Sequence, residues 1–171
     1  HMAWHASVNS LFSFIKKFPV DYRFMPYATF SHPEIARVGL NEKDAIALGI
    51  KYDVTTYDIS DLDRAIVDGD ALGLIKVLTR PRTDKILGVT IAADHASNLI
   101  SEYTLAMKCG VGLKKILGTI HVYPTMAEAN KFVASEWAKS HKPNWALWFL
   151  KGFHSWMRGE SFPLQSKNKK E

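Results

Sequence analysis

Two apolar, β-prone runs, LGLIKVLT over 72–79 and KILGVTIAA over 85–93, are separated only by RPRTD. Two strands this close can pair only antiparallel, because a parallel return needs a crossover of a dozen or more residues. Pro81 and the Thr83-Asp84 pair suit a tight turn, so the stretch is expected to form a hairpin. Around it lie a strand expected in YDVTTYDI and another over 24–30, FMPYATF, with SHPEIARVG breaking the second at Pro33. Asn41 is a good N-cap for the helix NEKDAIAL, which Gly49 ends.

The helices come in blocks of their own. An apolar helical face recurs from Ala96 to Met107 and stops at Cys109-Gly110, LKKIL adds a short turn, and a helix leads from HVYPTMAEANK to about Ala138. After Pro143 the run NWALWFLKGFHSWM reads as one more. Blocks of strands and helices, in place of strict βαβ alternation, indicate an α+β class: an antiparallel β-sheet with helices packed on one face. A first helix, Ala3 to Lys16, carries an apolar stripe of Trp4, Val8, Leu11, Phe12 and Ile15 with no obvious surface to cover it. His1 and Met2 read as a tag remnant.

Composition narrows the function classes. The 171 residues are 47% hydrophobic and 23% charged, enough to build one buried core. The net charge of +5 includes the terminal SKNKKE and forms no continuous stripe, which disfavours nucleic-acid binding. Cys109 is the one cysteine, so no intrachain disulfide, Cys-x-x-Cys pair or thiolate-rich zinc site exists in these residues, and it is expected to be a small buried apolar group. His32, His95, His121, His141 and His154 are scattered without metal-ligand spacing, and no metal site is expected. Dinucleotide binding of the G-x-G-x-x-G type is unsupported: in Gly110-Val111-Gly112 the third glycine is replaced by Lys115, and a helix precedes where a strand is needed. With no membrane-length apolar run and no recognisable signal peptide, a cytoplasmic setting is expected.

The segments YATFSHPEIARVGLNEKDAIALGI, ALGLIKVLTRPRTDKILGVTIAADHASNLISEYTLAMKCG and TIHVYPTMAEANK, in this order, resemble the C-terminal dimerisation domain of the pyridine nucleotide-disulfide oxidoreductases. These flavoenzymes include dihydrolipoamide dehydrogenase, glutathione reductase and mercuric reductase. The resemblance runs from about Tyr22 to Lys139. It implies a homodimeric parent enzyme with FAD and NAD(P)H domains elsewhere, no cofactor held by these residues, and an isolated chain without activity. It divides the chain into 1–21, a tag remnant and a helix similar to the end of an FAD domain; 22–140, the dimerisation domain; and 141–171, an aromatic helix with a basic tail.

In the family a His-Pro-Thr segment, with a glutamate five residues after the histidine, enters the partner subunit's active site, where the imidazole exchanges protons. Here Pro124, Thr125 and Glu128 match and Tyr123 takes the histidine's place, while His121 lies two residues earlier. The resemblance therefore implies Tyr123 and Glu128 as catalytic contributors across the dimer, with His121 a further candidate, and Tyr123 and Pro124 as contacts to the partner's FAD. A phenol of reference pKa about 10 does not relay protons at neutrality as imidazole does. Tyrosine followed by Thr-Met and Glu is instead similar to mercuric reductase, but those enzymes end in a vicinal cysteine pair and this chain ends QSKNKKE. On residues alone, Thr125 and Glu128 also read as a capping box. Asn98, Glu102 and the 96–107 helix resemble the family's dimer core, although burial within the subunit accounts for the same apolar positions.

The aromatic stripe Trp145, Trp148, Phe149, Phe153, Trp156 and Met157 must be covered, by the domain itself or its dimer mate or, in an alternative reading of the chain as an autonomous interaction module, by a membrane surface met through this last helix.

Overall fold

A computed structural model describes residues 2–142 and 144–158. Five strands, β1 (Tyr27–Thr29), β2 (Glu34–Gly39), β3 (Asp53–Asp58), β4 (Leu74–Thr79) and β5 (Ile86–Ala93), form one antiparallel sheet in the order β1-β2-β5-β4-β3. The expected hairpin is its centre. Its tip closes through the Arg80 amide on the Lys85 carbonyl at 2.9 Å, with Arg82 in the left-handed region at φ 60°.

Alternation decides which face is covered. Ala36, Val38, Ile75, Val77, Val89, Ile91 and Ala93 point to one side and are buried. The helices α4 (Ala96–Lys108), α5 (Leu113–Leu117) and α6 (Glu128–Ser140) lie over that side and contribute Leu99, Ile100, Tyr103, Leu113, Ile116, Val133 and Trp137 to the same core. Each fully buried aliphatic side chain there contributes about 1.5–3 kcal/mol relative to exposure. The opposite face carries Ile35, Arg37, Leu74 and Lys76, and α2 (Glu42–Ala47) reaches it through the pairs Arg37–Asp44 at 3.1 Å and Lys76–Glu42 at 2.6 Å.

The Asn41 cap is as expected and is a full capping box: the Asp44 amide donates to Asn41 Oδ1 at 2.8 Å, and the Asn41 amide to the Asp44 carboxylate. Two expectations change, and one element is added. Strand β1 is only three residues long, and SHPEIARVG, read as a break, supplies β2 immediately after Pro33. Only Ala36 and Val38 of β2 are buried, which left too little apolar alternation to read. The polar 61–70 stretch holds a short helix, α3 (Asp63–Asp68), closed by Gly69 at φ 78°. Cys109 is exposed, because it caps α4 just beyond the last core-facing residues, Ala106 and Met107.

The first helix, α1 (Met2–Phe12), buries none of its residues, and Trp4, Leu11 and Phe12 are exposed. The last, α7 (Asn144–Met157), forms as expected. The side chains of Trp145 and Trp156, and the SKNKKE tail, lie outside the described residues.

Candidate functional site around the 119–127 loop

The loop between α5 and α6 is fixed at both ends and bare in the middle. At its start the His121 side chain is 6% exposed. Its Nδ1 faces the Thr119 carbonyl at 3.1 Å and its Nε2 faces the Glu102 carboxylate at 3.1 and 3.3 Å. With Glu102 ionised, both contacts are hydrogen bonds only when the ring carries both protons, since imidazole otherwise has one donor. Asn130, buried at the first turn of α6, donates through Nδ2 to the same carboxylate at 2.7 Å and to the Leu99 carbonyl at 3.2 Å. One carboxylate on α4 therefore ties the loop and α6 together.

At the other end the expected capping box is half made. The Thr125 amide donates to Glu128 Oε2 at 3.4 Å, but the Thr125 hydroxyl turns back to the Val122 carbonyl at 2.6 Å. The helix consequently starts at Glu128, with Ala127 as N-cap and no side-chain cap bond. Glu128 itself is buried, at 6% exposure.

Between these anchors Val122 is 74% and Tyr123 67% exposed, and Ile120, just before His121, is 95% exposed. The Tyr123–Pro124 peptide is cis. The Tyr123 hydroxyl donates to Asp63 Oδ2 of α3 at 3.0 Å. That bond and the Asp63 charge, with Glu128 adding to them, push the phenol above its usual range. The group is thus a neutral donor near pH 7 and has no tendency to give up its proton there.

Of the residues singled out from sequence, the loop gathers Tyr123, Pro124 and Glu128, while His121 engages Glu102 and not Glu128. Asp63 and Asn130 were not foreseen. Both act across sequence separations, 60 residues for Asp63 to Tyr123 and 28 for Asn130 to Glu102, that no local pattern reports. Beside the loop a cavity of about 400 Å³ is lined by residues including Arg64, Asn98, Glu102, Pro124 and Asn130. The apolar side of α4 faces the subunit's own core, leaving Leu105 and Asn98 exposed.

The one glycine pair with a superficial likeness to a dinucleotide loop has a different role. A Cβ at Gly112 would lie 2.5 Å from the Asp84 carboxylate, and Asp84 accepts the Leu113 amide at 2.9 Å through its carbonyl and the Lys114 amide at 3.3 Å through its side chain. Protein acceptors already occupy the amides a pyrophosphate would need, so these residues do not fit such a group. Among the described residues no group of three or more His, Cys, Asp or Glu side chains is placed to hold a metal ion, and no helix is long and apolar enough to cross a membrane.

The chain is 39% identical over 112 residues to the mitochondrial dihydrolipoyl dehydrogenase of Schizosaccharomyces pombe, covering 66% of this chain and 22% of that protein. It is 36% identical over 115 residues to the mercuric reductase of Streptomyces lividans, covering 67% and 24% respectively. In structure it is similar to RclA, the HOCl-induced flavoprotein disulfide reductase of Escherichia coli, with a TM-score of 0.69 at 25% identity over 75% of this chain and 30% of that one. The chain thus spans less than a third of the length of these relatives. Residues 25–134 match the family described as pyridine nucleotide-disulphide oxidoreductase, dimerisation domain, and to that family the chain belongs.

Proposed function

We propose that this chain is the dimerisation part of a flavin-dependent oxidoreductase, acting as a homodimer in which the 119–127 loop of one subunit completes the active site of the other. The observation that carries the reading is the exposure of Ile120, Val122 and Tyr123 on a loop anchored at both ends. A soluble globule ordinarily covers such a cluster unless it meets a partner. A two-fold interface would cover it isologously, each loop meeting the other subunit.

In this reading Tyr123 and Glu128 act across the seam, and Pro124 approaches the partner's flavin. Tyr123 offers a neutral hydroxyl that donates a hydrogen bond, with Asp63 its resting acceptor. Such a donor stabilises developing negative charge without relaying a proton. That suits an acceptor other than an ordinary dithiol-disulfide couple. His121, held by Glu102, positions the loop. FAD and NAD(P)H would be held by other parts of a longer parent in the cytoplasm, since Gly110–Gly112 does not accommodate a pyrophosphate. By itself the chain is inactive.

Sedimentation equilibrium of the 171-residue chain tests this. A concentration-dependent dimer is expected, weakened at least about tenfold by Val122→Asp, a change equivalent to about 1.4 kcal/mol. A chain that remains monomeric up to about 0.1 mM, or a dimer indifferent to Val122→Asp, overturns the placement of the loop at the seam.

A further inference from the structure

We propose that α7 is a membrane-surface helix that lies on anionic lipid, independent of the oxidoreductase reading. On a helix of 100° per residue, Phe149, Phe153, Met157 and Leu150 fall within an arc of about 100°. They are 59%, 42%, 64% and 49% exposed. Among the described side chains of α7, Gly152 and Ser155, outside this arc, are buried, and Trp148, between them on the wheel, is 44% exposed. The helix thus presents an aromatic and aliphatic ridge to solvent.

Charge selects the occupant. From Trp137 to Gly159 the sequence has no Asp or Glu, while it has Lys139, Lys142, Lys151 and Arg158. Lys142, His154 and Arg158 are exposed. An aromatic and aliphatic ridge in a stretch whose charged residues are all basic suits an interfacial helix: the ridge enters the acyl boundary while the cations stay among phosphate headgroups. The helix has 14 residues, about 21 Å, so it lies along a leaflet and does not cross it. A second copy of the same basic helix would bring like charges together, which disfavours self-pairing through this face.

The test is flotation of the full chain with vesicles of phosphatidylcholine alone and of phosphatidylcholine containing about one third phosphatidylglycerol. Binding to the anionic vesicles is expected, reduced at least about tenfold on neutral vesicles or in about 0.5 M salt. The double variant Phe149→Asp/Met157→Asp, whose positions are exposed and whose circular dichroism should match the parent chain, should lose binding by a similar factor. Absence of binding, equal binding to both vesicles, or a lipid-free self-association abolished by the double variant each overturns the proposal.

Discussion

Glu102 is the residue on which the anchoring of the 119–127 loop converges, and its replacement has a calculable cost. Its carboxylate accepts from His121 Nε2 at 3.1 Å and from Asn130 Nδ2 at 2.7 Å. A hydrogen bond to a charged group contributes about 1.5–3 kcal/mol when shielded, and the Glu102 side chain, 31% exposed, falls toward the lower end. Asn130 keeps its second acceptor, the Leu99 carbonyl, so its loss is partial. Glu102→Ala should therefore destabilise by about 2–3 kcal/mol, and Glu102→Gln, which keeps one acceptor oxygen, by about 1 kcal/mol. Urea unfolding followed by tryptophan fluorescence gives the numbers, and a double-mutant cycle with His121→Ala isolates the pair. A coupling of about 1–2 kcal/mol is expected. Additivity within about 0.3 kcal/mol would show that the contact contributes nothing and that the loop is fixed by some other means. Hydrogen exchange at Val122 and Tyr123 should rise in Glu102→Ala but not in a control such as Lys76→Ala on the far face.

Gly88→Ala should destabilise by about 3 kcal/mol in thermal unfolding, because a Cβ there would lie 1.9 Å from the Leu40 carbonyl oxygen, a backbone atom that cannot swing aside. Asn41→Ala, which removes the capping box of α2, should cost about 1 kcal/mol in the same assay. The Tyr57 phenol is pushed up to about 12 by burial, then by the charges of Asp61, Asp63, Asp58 and Glu136. Its raised folded value means a contribution to stability complete below the ordinary phenol range and lost as pH climbs from about 10 toward 12; Tyr57→Phe should flatten that part of the stability profile, and an unchanged profile would count against it.

What could be read from the sequence is what local chemistry encodes. The hairpin needs only two runs and a turn between them, and the Asn41 cap needs an acceptor three residues before Asp44. Strand β2 escaped because Glu34 and Arg37 interrupt its apolar character for reasons that lie elsewhere in the chain. Glu34 accepts the Ser97 amide at 2.9 Å and so caps α4, whose own N-cap, His95, makes no side-chain bond. That contact draws the Glu34 carboxyl below its usual range. Arg37 pairs with Asp44 of α2. Similarly, Thr125 and Glu128 have the spacing of a capping box, yet the hydroxyl finds a nearer acceptor at Val122. A resemblance in sequence located the loop; it could not report that His121 serves Glu102, or that Asp63 holds the Tyr123 hydroxyl.

The placement of these anchors bears on the cost of bringing so exposed a loop to a partner. A free loop that must be ordered at an interface loses about 1–2 kcal/mol per residue in backbone entropy, and that loss subtracts from affinity. Here the cost is met during folding of the subunit: Glu102 fixes His121, Glu128 fixes Thr125, and Asp63 holds the phenol at rest. Val122 and Tyr123 are left bare between the fixed points, and Ile120 just before the first. Loosening an anchor should therefore weaken association without any change at Ile120, Val122 or Tyr123, the side chains proposed to touch the partner. Glu102→Ala should lower dimer affinity even though Glu102 itself is paired inward. If that variant is less stable but dimerises as tightly as the parent chain, the loop is ordered by its partner instead, and rigidity before contact is not what the anchors provide.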